Sequence, residues 1–291
     1  MIGAFRRAAG VAALALVLAA NPTRARPPVW VVKSDHATVV LFGSLHVLPY
    51  GLDWLPPEVS EGLAKADDVW FELPMDAANQ ARVGELARDR GTYPTGESLS
   101  GALGAAQWAR LTRDAAKVGL APAALDRLRP WLADVVLSLA LDGLDGASGA
   151  NGVEARIAAL TPSAARRRAL ETPEEQIELL AGAPPADQFA GLTSTFRDIE
   201  DKKHAYRRLV AAWIDGDLVR LQREVLDPLR IKTPILYDRL IRDRNRRWVA
   251  ALQDRLSGGG TAVVIVGLGH LVGPDGVPAQ LRARGLRVEG P

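Results

Sequence analysis

Two stretches at opposite ends of the chain carry nearly the same local text. Val39-Val40-Leu41-Phe42-Gly43-Ser44-Leu45-His46 near the start is echoed by Val263-Val264-Ile265-Val266-Gly267-Leu268-Gly269-His270 near the end. Each is four apolar residues, a glycine that frees the backbone, two residues and a histidine. Continuous apolar runs of this length read as strands buried on both faces, as in a covered sheet. Strands so apolar must pair, so one sheet is expected to be closed by both ends of the chain. If the two are parallel neighbours, their histidines converge just past the strand ends, where covered sheets bind ligands.

The rest of the pattern fits around that pair. Residues 29–33 and 38–42 are β-branched runs separated by Ser34-Asp35-His36-Ala37, a hairpin signal. A short helix is expected over 58–66, and 68–73 reads as a buried strand ending near Glu72, closed by Pro74. From about 77 to 256 apolar residues recur three and four apart, in 108–118, 125–141, 153–160, 174–180, 189–214, 218–226 and 235–256. Only 168–171 interrupts, as a short strand. After three glycines come a strand over 261–266, a Pro274-Asp275-Gly276 turn, a helix over 277–284 and a last strand over 286–289. The fold class is α/β: a central mixed sheet of N- and C-terminal strands, with the helical segment as cover and cap. Residues 26–291 read as one domain.

Composition removes several chemistries. The 291 residues include no cysteine, which excludes disulfides, cysteine-based zinc or iron–sulfur sites, a thiol nucleophile and lipoprotein attachment. Arg6 and Arg7 precede an apolar run over 11–20, then Asn21-Pro22. That order describes a secretory signal peptide over 1–25, cleaved after Ala25 or, alternatively, Ala20. The run is about half the roughly 20 residues of a membrane-spanning helix. The expectation is a periplasmic or secreted protein with no stable membrane insertion after cleavage. Three of the 36 basic residues lie in 1–25, leaving 33 against 34 acids, so no basic nucleic-acid footprint remains.

His46 and His270 form the candidate centre, and Glu72 makes its third corner. A carboxylate at the end of a buried strand is costly unless paired or bound to a cation. Two imidazoles and one carboxylate suit a borderline divalent metal and leave a position open for water. Water so bound becomes acidic enough to supply hydroxide for hydrolysis. His36, in the hairpin turn, and His204, on a polar helix face, read as solvated.

The segments Gly43-Ser44-Leu45-His46, Leu55-Pro56-Pro57-Glu58-Val59, Ala66-Asp67-Asp68 and Glu72 resemble the TraB/GumN family, which includes the Tiki metalloproteases. Gly152-Val153-Glu154, Leu170-Glu171-Thr172 with Gln176, Arg244-Asn245 with Trp248, and Gly267-Leu268-Gly269-His270 follow in the same order. The resemblance implies an α/β fold shared with erythromycin-esterase-like and haem-binding ChaN-like proteins. It also implies a divalent-metal peptidase site on His46, Glu72 and His270, taking manganese, cobalt or zinc and a peptide or protein substrate. Glu154 and Glu171 fall at matching positions as a general base or supporting partner, and Arg244 as a substrate or oxyanion contact. Ser44 lacks a G-x-S-x-G elbow, so its hydroxyl is expected to fix the loop that aims His46.

Two functions follow. One is a metal-dependent hydrolase. The other is a non-catalytic periplasmic binding protein for haem or a peptide in the same crevice. A dinucleotide site at Gly267-x-Gly269-x-x-x-Gly273 is disfavoured, because the Pro274-Asp275-Gly276 turn stands where a phosphate-binding helix should begin.

Overall fold

The computed structural model describes residues 26–201 and 205–291. The expected signal peptide and His204 lie outside the described residues. Among the described residues no helix is long and apolar enough to cross a membrane.

Among the described residues eight strands form two sheets. They are β1 (Val29–Lys33), β2 (Ala37–Ser44), β3 (Leu48–Pro49), β4 (Ala66–Phe71), β5 (Ala147–Ser148), β6 (Arg166–Ala169), β7 (Gly260–Gly267) and β8 (Arg287–Glu289). The main sheet runs β6-β4-β7-β2-β1-β8, and β3 pairs β5 in a two-stranded ribbon. β1 and β2 form the expected antiparallel hairpin. β2 and β7, the two echoed segments, are parallel neighbours. β7 also pairs β4 in parallel, and β4 pairs β6 likewise. Four parallel strands therefore end on one side of the sheet, and every candidate residue lies at or beyond that side.

The register is offset by one from the textual echo: Gly43 faces Val266, and Ser44 faces Gly267. β7 is buried from Ala262 to Val266, as its unbroken apolar text requires. On β2, Phe42 stacks with Trp54 and meets Trp213, whose indole Nε1 donates to the Gly43 carbonyl at 2.9 Å. This aromatic cluster pins the strand end from which the His46 loop departs.

Several expected boundaries moved; the strand expected over 68–73, for one, is Ala66–Phe71, which leaves Glu72 just past its end. The strand expected over 168–171 is Arg166–Ala169, drawn into the sheet by a buried carboxylate on its neighbour. Asp68 accepts from Arg166, Arg168 and Arg255, at 3.0, 2.9 and 2.6 Å. The helix expected over 125–141 is two, Pro122–Leu125 and Pro130–Gly143, because Pro130 has no N–H to continue a helix but suits a first turn.

The helical segment has a core of its own, built on Leu111, Leu125, Leu137, Leu192 and Phe196. There Pro130–Gly143 packs on Pro185–Asp201, and the Thr195 hydroxyl donates to Asp134 at 2.5 Å. Burial pushes the Asp134 carboxyl up to about 6; the Thr195 bond pulls it back in part and Asp198 adds to the rise. A carboxyl raised in this way contributes stability below its unfolded value, and that stability is lost as pH rises through about 6. Relative to Asp134→Asn, the parent is therefore expected to gain melting temperature between pH 7.5 and pH 5. An unchanged pH slope in the variant would contradict the assignment.

Candidate active site

Along the end of the parallel sheet the strands deliver, in order, Glu171 past β6, Glu72 past β4, Gly267 as the last residue of β7 with His270 past it, and His46 past β2. Glu171 is held beside Glu72 because its amide donates to the Glu72 carbonyl at 2.9 Å, extending the β4–β6 ladder.

Glu72 is fully engaged. Its Oε1 accepts from the Gly267 amide at 2.6 Å, and its Oε2 from Arg244 Nη2 at 2.5 Å. Burial opposes its ionisation, but the Arg244 and His46 charges with the Gly267 amide hold the carboxyl below its usual range.

His270 is buried, and its tautomer follows from its neighbours. Asn245 Nδ2 donates to the carbonyls of Asp275 (2.7 Å) and His270 (3.3 Å), so Asn245 Oδ1 faces the ring. His270 Nδ1 therefore carries the proton and donates to Asn245 Oδ1 at 2.6 Å, leaving the lone pair on Nε2. Desolvation drives this imidazole down to about 3, so it is neutral. Trp248 lies against the ring, with centroids 4.3 Å apart, and under the Arg244 guanidinium at 4.6 Å.

Arg244 is buried at the centre. It grips Glu171 with two bonds of 2.8 Å, from Nε and Nη2, and donates to Gln176 Oε1 at 3.2 Å and the Leu240 carbonyl at 3.3 Å. Its Nη1 lies 3.0 Å from His270 Nε2. Every nitrogen is taken up inside the protein, so this placement makes Arg244 a clamp on the acidic residues and leaves it no free donor for substrate. Glu171 is similarly enclosed, receiving Arg247 and the Trp248 indole besides Arg244, and has no route for protons from the cleft.

His46 differs in kind. Its side chain is 69 % exposed at the mouth of the site. Nδ1 donates to Glu154 Oε1 at 2.7 Å, and the Ser44 hydroxyl donates to the same oxygen at 2.6 Å. The Glu154 charge raises the His46 imidazole. Burial works against Glu154, yet His46 and Ser44 together hold its carboxyl below the usual range. Gly152 fixes this loop by close approach, since a Cβ there would collide with the His46 carbonyl.

The three expected corners converge in front of one glycine. A Cβ on Gly267 would stand 3.1 Å from Glu72 Oε1, 3.7 Å from His270 Cδ2 and 4.0 Å from His46 Nε2. His46, Glu72 and Glu154 open onto a cleft of about 520 Å³ whose other wall is apolar, with Phe71, Leu73, Pro74, Met75 and Val83.

The donor chemistry and this cradle fit the divalent cation that the resemblance implies. Each imidazole has its Nδ1 fixed by an acceptor, Asn245 or Glu154, which presents Nε2 as the ligand atom. For a cation to bind there, His270 Nε2 must exchange its Arg244 contact and Glu72 must offer a lone pair beyond those taken by the Gly267 amide and Arg244. As placed, among the described residues no group of three His, Cys, Asp or Glu side chains stands ready to hold a metal ion.

Two supporting residues owe their roles to contacts distant in the chain: Asn245 stands in the sequence beside Arg244, and Asp275 within a turn. Asp275 braces Asn245 through its carbonyl, while its carboxylate accepts from Tyr237 at 2.8 Å and Arg242 at 3.1 Å. No local signal marks either contact. The remaining histidine among the described residues, His36, is exposed at the hairpin turn.

Fold and site together define an α/β protein with a carboxylate–imidazole centre at the ends of parallel strands, capped by a helical segment. The chain belongs to the TraB/PrgY/gumN family, whose profile it matches over residues 28–290. Comparison with curated proteins and with solved structures returns no match.

Proposed function

We propose that this chain is an exported, metal-dependent hydrolase acting on peptide bonds, with His46, Glu72 and His270 holding a manganese, cobalt or zinc ion. The observation that carries the reading is the gathering of Glu72, His270 and His46 around the space in front of Gly267, beside the cleft. The signal-like residues 1–25 support export, with the cation site then working in the periplasm or outside the cell.

When bound, the cation lowers the pKa of a water molecule so that hydrolysis proceeds near neutral pH. Glu154 is ionised, lines the cleft and takes up the proton that the attacking water loses. Ser44 and His46 keep its Oε1 oriented. Arg244 holds Glu72 and Glu171 in place, and Asn245 holds the His270 tautomer. The apolar wall receives a substrate side chain and keeps bulk water from the reacting carbonyl.

Metal analysis of the purified protein tests this directly. Stoichiometric manganese, cobalt or zinc is expected, with uptake and peptide hydrolysis both lost in the His46→Ala, His270→Ala double variant. Turnover retained by that variant would refute the proposal. The competing haem-binding reading has less support, because it draws on one exposed imidazole, His46, and gives the buried Glu72 and His270 no part. A Soret shift on adding haem, absent from the His46→Ala variant, would revive it.

A further inference from the structure

The catalytic cleft is not the end of the concave surface. A second cavity of about 440 Å³ adjoins it, lined by Tyr50, Leu52, Trp54, Asn151 and Arg156 among others. Ala150 and Ala155 line both cavities, so their methyl groups form a low sill between them.

The loop that carries Tyr50 stands on a firm base. β3 before it pairs β5, its turn uses Gly51 at φ +84°, and Arg156 donates to the Leu52 carbonyl at 3.1 Å. The same guanidinium lies 5.0 Å over the Trp54 ring. On this base Tyr50 itself is 89 % exposed. A single exposed ring is ordinary on a protein surface; this one borders a cavity that adjoins the candidate catalytic cleft across Ala150 and Ala155.

From that adjacency we infer that the substrate is an extended polypeptide lying across the Ala150–Ala155 sill, with one side chain in the apolar catalytic cleft and another against Tyr50. This rests on the hydrolase reading and adds a second subsite to it. An extended chain advances about 3.3 Å per residue, so side chains two apart on one face can drop into separate cavities. The cleft favours polypeptide over saccharide: the wall formed by Leu73, Pro74, Met75 and Val83 offers few of the polar partners that a sugar's hydroxyls demand.

The test is a ladder of fluorescein-labelled Leu/Ala peptides, three to nine residues long, with binding read by anisotropy and cleavage by chromatography. Affinity for the full-length protein is expected to step up about tenfold once a peptide is long enough to cross the sill. Tyr50→Ala should remove that step and Tyr50→Phe keep it. Cleavage without length dependence, or a step untouched in Tyr50→Ala, overturns the second subsite and leaves the hydrolase reading standing. A Tyr50-dependent step in a protein that cleaves none of the peptides upholds the subsite and overturns the hydrolase reading instead. No binding of any peptide overturns the subsite.

Discussion

Replacing Arg244 with methionine is expected to lower the unfolding free energy by about 3–5 kcal/mol, the range for removing one partner of a buried ion pair. The Arg244 side chain is 5 % exposed, and it faces Glu171 at 1 % and Glu72 at 12 %. Both carboxylates lose a charged donor, and Glu171 is left with the Trp248 indole and the outer Arg247. The methionine fills part of the space, so the cost is electrostatic more than a cavity. Urea denaturation followed by tryptophan fluorescence measures it, as a fall in midpoint at unchanged slope. Arg247→Ala is the contrast: it reaches the same Glu171 oxygen at 3.3 Å but is 52 % exposed, and should cost less than about 1 kcal/mol. Equal effects of the two variants would show that the buried clamp does not hold this end of the sheet together.

Gly267→Ala is expected to separate folding from function. Gly267 has φ −50° and ψ 135°, a conformation open to any residue, and its amide can still donate to Glu72. The fold should survive, with a melting temperature within a few degrees of the parent. The added methyl, however, takes the space onto which Glu72, His270 and His46 converge, and at 3.1 Å it pushes the Glu72 oxygen aside by a few tenths of an ångström. Cation uptake and hydrolysis should drop by about a hundredfold, the scale on which small misplacements of reacting groups act. Full activity in Gly267→Ala would place the reacting centre elsewhere in the cleft.

The outline of this molecule is legible before its coordinates, because it rests on local patterns. The β1–β2 hairpin follows from two β-branched runs around Ser34-Asp35-His36-Ala37, and the burial of β2 and β7 from their unbroken apolar text; their parallel pairing is what the coordinates add. Boundaries went astray where the decisive partner was distant or the local chemistry was mixed. β6 begins two residues early, where Arg166 and Arg168 both reach Asp68 on the next strand. The run expected over 235–256 includes a π-helical turn, Asp238–Arg242, just before Arg244, and apolar spacing carries no mark of it.

The candidate site divides the same way. His46, Glu72 and His270 were legible because each follows a strand that had to be buried, and such strand ends share one side of a parallel sheet. Glu154 and Glu171 looked alike as acids in the helical segment and its margins, yet Glu154 opens on the cleft beside His46 while Glu171 is sealed under Arg244.

What the sequence by itself determined is that two glycine–x–x–histidine turns leave buried strands, since apolar residues in unbroken runs leave a chain few other ways to escape water. Only the tertiary structure decided which nitrogen of His270 carries its proton, that Arg244 faces inward, and that Gly267 leaves the central space free. Those outcomes depend on hydrogen bonds between groups as far apart in the chain as Glu72 and Arg244, 172 residues, and directional contacts over such separations leave no periodic trace in the text.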